Sequence, residues 1–164
     1  MVKTASIMLP VGTILPDFNL EVVAPCKTCD LVSFKPAQKL SKTNLPVKPL
    51  FLMVICAHCP FVKHLESGIT KLNEDYGKKI QFLAISSNSL KTHPQDSPAN
   101  LAKQCKENGW DFPYLFDSKQ TLAKALKAAC TPDFFLFQPS LNGVHQLIYR
   151  GQFDESRPGN NLPV

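Results

Sequence analysis

The longest apolar run in the chain is Pro49–Cys56, and its centre, Leu50-Phe-Leu-Met-Val-Ile55, is of strand length. A continuous run of this kind marks a strand covered on both faces, as in the middle of a layered α/β sheet. The period then changes. Val62, Leu65, Ile69, Leu72 and Tyr76 recur at alternating spacings of three and four, which predicts a helix with one apolar stripe, ending at Gly77. Ile80–Ser86 predicts a second buried strand. Ser97-Pro98 has the N-cap/N1 arrangement of a helix start, with Leu101, Ala102 and Cys105 inward and an end near Gly109. Tyr114–Phe116 reads as a short strand. Asp117-Ser118 then caps a third helix carrying Leu122, Ala125, Leu126 and Ala129. Asp133–Phe137 and Gln146–Tyr149 are strands joined across Asn142-Gly143, a tight-turn signal. Upstream, Thr13–Val23 reads as a strand that Pro16 confines to an edge or a bulge. The loop-rich segment Ala24–Pro49 holds a small strand over Leu31–Phe34. From residue 50 the order is β-α-β-α-β-α-β-β, an α/β sheet closed by an antiparallel edge hairpin.

Composition narrows the function classes. The 164 residues are 44% apolar, one domain's worth of chain that buries about two-thirds of its unfolded surface. The net charge of +5 comes from lysines spread along the chain, with Arg150 and Arg157 the only arginines. No basic cluster interleaved with aromatics occurs, so a nucleic-acid partner is not expected. No apolar core of signal-peptide length precedes Pro10, and no apolar run approaches the ~20 residues of a membrane span. The expectation is a cytoplasmic protein with no membrane partner.

Six cysteines change the picture most. Four of them form Cys26-Lys-Thr-Cys29 and Cys56-Ala-His-Cys59; Cys105 and Cys130 are single. Paired cysteines in a reducing compartment point to catalysis or metal. Cys56-Ala-His-Cys59 joins a buried strand to an amphipathic helix, where unsatisfied N–H groups and the helix dipole favour a thiolate. With Cys56 at the helix N-terminus and Cys59 in the first turn, Cys56 is expected to be the more exposed, lower-pKa thiol. His58 would add a charge or a donor beside its sulfur. Competing readings are a zinc ion shared with Cys26 and Cys29, or two inert core cysteines; zinc knuckles, however, sit on turns rather than at the head of a core-facing helix. Thr131-Pro132 stands directly before a Phe-rich strand, either an edge feature or a cis bend.

The strand, the Cys-x-x-Cys, the amphipathic helix and the distant Thr-Pro resemble thioredoxin. The wider chain is more similar still to the peroxiredoxin-like branch of that superfamily. The matching segments are Gly12–Leu20 (GTILPDFNL), Cys56–Leu65 (CAHCPFVKHL), Ala84–Asn88 (AISSN), Pro113–Asp117 (PYLFD), Ala129–Phe137 (ACTPDFFLF) and Tyr149–Pro158 (YRGQFDESRP). The resemblance implies a three-layer thioredoxin fold with an N-terminal β extension, and Pro132 in cis. It implies a working dithiol of Cys56 and Cys59, with the backbone of Thr131 pairing with an extended substrate. In domain terms, residues 1–48 are the β extension and loop and 49–158 the thioredoxin core. Residues 159–164 are a tail that stops where this fold ordinarily adds a C-terminal helix, as after truncation, processing or cover by a partner.

Departures from the family pattern shape the expected chemistry. Thioredoxins carry a Trp before the first Cys and a buried Asp upstream of it; here those positions are Ile55 and Leu50. Peroxiredoxins carry Pro-x-x-x-Thr-x-x-Cys and a remote Arg. With Cys59 in the place of that cysteine, Leu52 and Cys56 take the Pro and Thr positions, and Thr131-Pro132 falls where the Arg would be. The reading is therefore a thiol–disulfide oxidoreductase with Cys56, Cys59, His58, Thr131 and Pro132 at its site and no cofactor or metal. Its partners are a protein or small-molecule disulfide and a thiol electron donor, the protein being a monomer or weak homodimer. The alternatives are a slow thiol peroxidase with Cys59 peroxidatic, and a redox-sensing peptide-binding module. Cys130 is either an auxiliary thiol at the site's rim or a packed small side chain. Cys105 is expected in the core. Cys26 and Cys29 are an auxiliary redox pair, a local disulfide or metal clip, or two unpaired thiols. His64 is expected on a helix surface, and His93 and His145 in solvated loops.

Overall fold

The computed structural model describes residues 8–164, so the part of the N-terminal reading that falls on residues 1–7 lies outside the described residues. Seven strands form one mixed sheet: β1 (Asn19–Ala24), β2 (Lys39–Ser41), β3 (Leu50–Val54), β4 (Gln81–Ser86), β5 (Tyr114–Phe116), β6 (Asp133–Pro139) and β7 (His145–Gly151). Their spatial order is β2-β1-β5-β4-β3-β6-β7. β3, β4 and β5 are parallel, whereas β1, β6 and β7 pair antiparallel to their neighbours. The parallel steps are made by α1 (Pro60–Tyr76) and α2 (Pro98–Glu107); α3 (Thr121–Ala125) leads from β5 towards β6.

The apolar run of β3 splits by strand period onto two faces. Leu50, Leu52 and Val54 join Leu83 and Ile85 of β4 and Leu122 and Leu126 around α3. Met53 and Ile55 face the other way, with Phe82 and Ala84, against Val62, Leu65 and Ile69 of α1 and Leu101 and Cys105 of α2. At about 1.5–3 kcal/mol for each large apolar side chain removed from water, these two layers on the sheet are the main force that sets the strand order. The α/β fold with its antiparallel edge is the one expected.

Three elements differ from the sequence reading, each for a local reason. Thr13–Val23 is not one strand. Gly12–Leu15 runs beside the β6–β7 hairpin through Gly12 N–H to Leu147 O (2.7 Å) and Leu15 N–H to His145 O (2.9 Å), and β1 begins only beyond Pro16. Leu31–Phe34 forms turns, with Val32 N–H on Cys29 O and Phe34 N–H on Leu31 O; the strand in this segment is instead β2. β2 has Leu40 as its sole buried residue, and pairing with β1 rather than any apolar pattern makes it a strand. α3 is also shorter than predicted. The Asp117 carboxylate caps it from outside by accepting Thr121 N–H and Ala123 N–H, both at 2.9 Å. Left-handed Lys127 (φ 55) ends it, so Ala123 rather than Ala125 is buried and Ala129 lies exposed beyond it. Gly143 takes the left-handed conformation (φ 75) that the β6–β7 turn needs. Residues 159–164 form no regular element, and Val164 and Phe153 lie against Gly68 of α1. Among the described residues, no helix is long and apolar enough to cross a membrane.

Candidate functional site

α1 begins at Pro60, and its N-cap is Cys59, in an extended conformation (φ −66, ψ 124). The expected cap, Cys56, is three residues too early. Pro60 explains the shift: proline is suited to the first helical position, and it pushes the preceding residue out of helical conformation. Cys56 therefore lies before the helix and is fully buried, whereas Cys59 is part-exposed. This inverts the expected order of exposure.

The electrostatics invert with it. The adjacent Cys56 thiol above all, with the nearby Val62 and Phe61 amides and Thr131, brings the Cys59 pKa down to about 5 against its partial burial. The Cys56 thiol is pushed far above the ordinary range by the adjacent Cys59 sulfur, by burial and by the nearby Asp96 charge. Both cysteines are free thiols. The pair thus sets a low-pKa, part-exposed sulfur at a helix N-terminus with a buried, higher-pKa thiol behind it.

Thr131 reaches both sulfurs from the other side. Its Oγ1 is 3.3 Å from Cys56 Sγ, and its carbonyl oxygen is 3.3 Å from Cys59 Sγ. The Thr131–Pro132 bond is cis, as the resemblance implied. Four of the expected site residues, Cys56, His58, Cys59 and Thr131, therefore share hydrogen bonds, and Pro132 follows directly.

Asp96 completes the cluster, and the sequence reading missed it. Leu50 leaves no carboxylate in the usual thioredoxin position; one arrives instead from the 3-10 turn Pro94–Asp96, fully buried. Asp96 Oδ1 accepts Ala57 N–H and His58 N–H at 2.9 and 3.1 Å. Asp96 Oδ2 accepts His58 Nδ1–H at 2.7 Å and the Asn88 amide at 2.7 Å. One carboxylate thereby fixes the whole Ala57-His58 dipeptide between the cysteines. His58 Nδ1 also lies 3.6 Å from Cys56 Sγ. The ring of His93, expected in solvent, stacks on His58 with centroids 4.7 Å apart. Gln104 of α2 donates to the Cys56 carbonyl at 3.3 Å and to Glu66 at 2.8 Å.

Cys56, His58 and Asp96 have donor atoms within 4.8 Å of one another, the spacing of a metal cluster. Here they are already bonded among themselves. Cys26 and Cys29 are joined in a disulfide. They follow β1 at the opposite end of the sheet from Cys56, so a zinc ion shared by both pairs does not fit the fold. Cys130 is exposed, not packed, and lines a shallow groove with Thr131, Ser87, Asn88, Gln120 and Lys124. Partial desolvation, the largest influence on its thiol, and neighbouring Asp133 raise its pKa. Cys105 is core, its pKa raised to about 11 by burial. His64 bonds Ser156 Oγ at 3.0 Å, and His145 is buried with its Nε2 on the Lys48 carbonyl rather than solvated.

Two bacterial structures are similar over nearly the whole chain. One, an uncharacterized conserved protein from Geobacillus kaustophilus, has 39% identity and a TM-score of 0.83, over 97% of this chain and 77% of that one. The other, a hypothetical protein from Sinorhizobium meliloti, has 34% identity and a TM-score of 0.83, over 99% and 81%. The thioredoxin domain of a thiol-disulfide oxidoreductase from Bacteroides vulgatus shares the fold at 13% identity and a TM-score of 0.63, over 87% of this chain and 91% of its own. No curated protein matches the chain. The family model that matches residues 11–153 is that of AhpC/TSA, covering both strand–Cys-x-x-Cys junctions, and this chain belongs to the AhpC/TSA family.

Proposed function

We propose that the protein is a thiol–disulfide oxidoreductase in which Cys59, not Cys56, makes the first attack. The observation that carries this is the N-cap position of Cys59, part-exposed and low in pKa, with the buried Cys56 thiol directly behind it. Cys59 thiolate attacks one sulfur of a substrate disulfide; that S–S bond breaks and the other half leaves as a thiolate, which takes a proton from solvent. Cys56 then loses its proton and attacks Cys59 Sγ. The mixed disulfide breaks, the second half of the substrate leaves reduced, and the protein holds a Cys56–Cys59 disulfide. Two electrons have passed to the substrate, and an external thiol donor restores the dithiol.

Each neighbour has a part in this cycle. The Thr131 carbonyl accepts the Cys59 thiol when it is protonated, and ionisation frees that carbonyl for an N–H of an extended substrate. Asp96 holds the His58 ring 3.6 Å from Cys56 Sγ, so His58 Nδ1–H can turn to Cys56 as it becomes a thiolate. Asp96 also disfavours that thiolate in the resting state, which keeps Cys56 a donor until Cys59 is consumed. The test is equilibration with graded ratios of reduced to oxidised glutathione. Read by alkylation of Cys56 and Cys59, one two-electron transition of this pair, lost in both Cys56→Ser and Cys59→Ser, is the expected result; a pair that never oxidises reversibly would overturn the proposal.

The family itself and the low pKa of Cys59, followed by Pro60, favour peroxide reduction as a second reading. Two arginines are available to the chain. Arg150 Nη2 bonds the Asp133 carboxylate and the Lys127 carbonyl, each at 3.1 Å, and Arg157 Nη1 bonds the Asp154 and Ser156 carbonyls. With the guanidinium groups so committed, Cys59 is expected to react with hydrogen peroxide at close to the rate of a free thiolate in stopped-flow measurements. A rate several orders of magnitude faster would make the peroxidase the principal activity.

A further inference from the structure

The Cys26–Cys29 disulfide is built on the same local plan as the Cys56–Cys59 dithiol. In each case the first cysteine stands two residues beyond the end of a strand, Ala24 of β1 or Val54 of β3. In each the first cysteine is buried and the second half-buried, Cys26 and Cys29 repeating Cys56 and Cys59. In each an aspartate from a distant segment clasps the two residues between the cysteines. Asp111 Oδ1 accepts the N–H groups of Lys27 and Thr28, and Asp111 Oδ2 accepts the Thr28 hydroxyl. This repeats, atom for atom, Asp96 Oδ1 on Ala57 and His58 N–H and Asp96 Oδ2 on the His58 side chain. Burial would raise the Asp111 pKa, but the Thr28 hydroxyl and the two amides outweigh it and hold the carboxyl below its ordinary value. The second sulfur is also hydrogen-bonded by backbone, Leu31 N–H lying 3.4 Å from Cys29 Sγ, and the Cys29 carbonyl opens the turn that follows by accepting Val32 N–H.

A disulfide serving only to pin a loop has no need of one accessible sulfur and a carboxylate on its inner dipeptide. From this correspondence we propose that Cys26 and Cys29 form a second dithiol–disulfide centre, whose accessible sulfur is Cys29, that exchanges electrons with a dithiol partner independently of Cys56 and Cys59. Independence follows from topology. β1 runs antiparallel to β5, which is parallel to β4 and β3, so the two centres leave opposite ends of the sheet. Five residues of strand rise and three interstrand spacings separate them, roughly 20 Å, too far for sulfur-to-sulfur transfer within one molecule.

In the reducing direction, a partner thiolate attacks Cys29 Sγ and the Cys26–Cys29 bond breaks. Cys26 leaves as a thiolate and takes a proton from solvent. The second thiol of the partner then displaces Cys29, which is protonated in turn. The partner ends as a disulfide, and the protein has gained two electrons and two protons.

The experiment uses the full chain carrying Cys56→Ser and Cys59→Ser, so its outcome is separate from that of the first centre. The native protein is equilibrated with graded ratios of reduced to oxidised dithiothreitol, and alkylated Cys26 and Cys29 are counted by peptide mass spectrometry. A reversible two-electron transition without denaturant is expected. Asp111→Ala, which leaves the Lys27 and Thr28 amides without their acceptor and loosens the turn holding the sulfurs together, is expected to move the equilibrium about tenfold towards the dithiol, ~30 mV. Asp111→Asn, whose amide oxygen accepts the same two N–H groups, is expected to restore most of it. A disulfide that opens only when the protein is denatured would overturn the proposal and leave a structural clip. A reversible transition equally unmoved in both Asp111 variants would overturn the part given to the carboxylate.

Discussion

With an aromatic disulfide reagent, Cys59 is expected to react about twentyfold faster than free cysteine at pH 5.5, and at about the same rate at pH 7. The calculation sets two effects of one pKa against each other. At pH 5.5 a Cys59 pKa of about 5 leaves roughly three-quarters of it ionised, against about one part in a thousand for a thiol of pKa ~8.5. A less basic thiolate is also a weaker nucleophile, and a Brønsted slope of about 0.4–0.5 over that difference removes a factor of ~40. The gain in ionisation exceeds the loss in acid and only matches it at neutral pH. At neutral pH the low pKa therefore confers no rate advantage on the first attack. Cys59→Ser should abolish the acid-phase reaction, since the other free thiols, Cys56, Cys105 and Cys130, all have raised pKa values. Cys56→Ser should keep it and stop at a stable mixed disulfide on Cys59, which makes it the variant for trapping substrates. Retention of the fast phase in Cys59→Ser with loss in Cys56→Ser would return the nucleophile to Cys56.

The start of the helix was legible in one residue whose weight is easily underestimated. Pro60 alone places the helix start, because a proline at N1 makes its predecessor the cap, and that puts Cys59 rather than Cys56 at the N-terminus of α1. The frame around it was written in periodicity. The β3 run and the α1 stripe are long, regular and buried as their spacing requires, and they bring a strand end, a dithiol and a helix N-terminus together. Features that depend on pairing or on distant chain left weaker marks. β2 is a strand because β1 lies beside it, and Lys39-Leu40-Ser41 carries no apolar alternation to announce it. Asp96 carries no local mark at all, one acidic residue before a Ser-Pro cap, and only the crossing from β4 to α2 sets it under the Ala57 and His58 amides. Even so, a thioredoxin-like sequence that lacks the carboxylate below its strand invites a search for one elsewhere, and the segment between β4 and α2 lies at the same end of the sheet.

Asp96→Ala is expected to lower unfolding stability by about 3–5 kcal/mol, the range for removing one partner from a buried, hydrogen-bonded charged cluster. Asp96 is fully buried and accepts from Ala57 N–H, His58 N–H, His58 Nδ1–H and the Asn88 amide. Each buried donor left without an acceptor costs about 1–3 kcal/mol. His58 is part-exposed, so water entering the gap would satisfy some of them and hold the total below the sum. Urea denaturation of the reduced protein reads this directly, and a loss under about 1 kcal/mol would mean that the clasp on the dipeptide contributes little. Asp96→Asn separates geometry from charge. Its amide oxygen still accepts the two backbone N–H groups, so the fold should be largely retained, while the negative charge that raises the Cys56 pKa is gone. Ultraviolet titration of thiolate absorbance should then show the second ionisation of the Cys56–Cys59 pair at lower pH than in the wild type. The direction is fixed by the sign of the charge removed: a neutral neighbour no longer penalises the Cys56 thiolate. Easier ionisation of Cys56 should also speed its attack on a mixed disulfide at Cys59, so that Asp96→Asn accumulates less of that intermediate than wild type in rapid acid quench. A second ionisation that stays where it is would show that burial and the adjacent Cys59 sulfur, without Asp96, hold Cys56 in its protonated state.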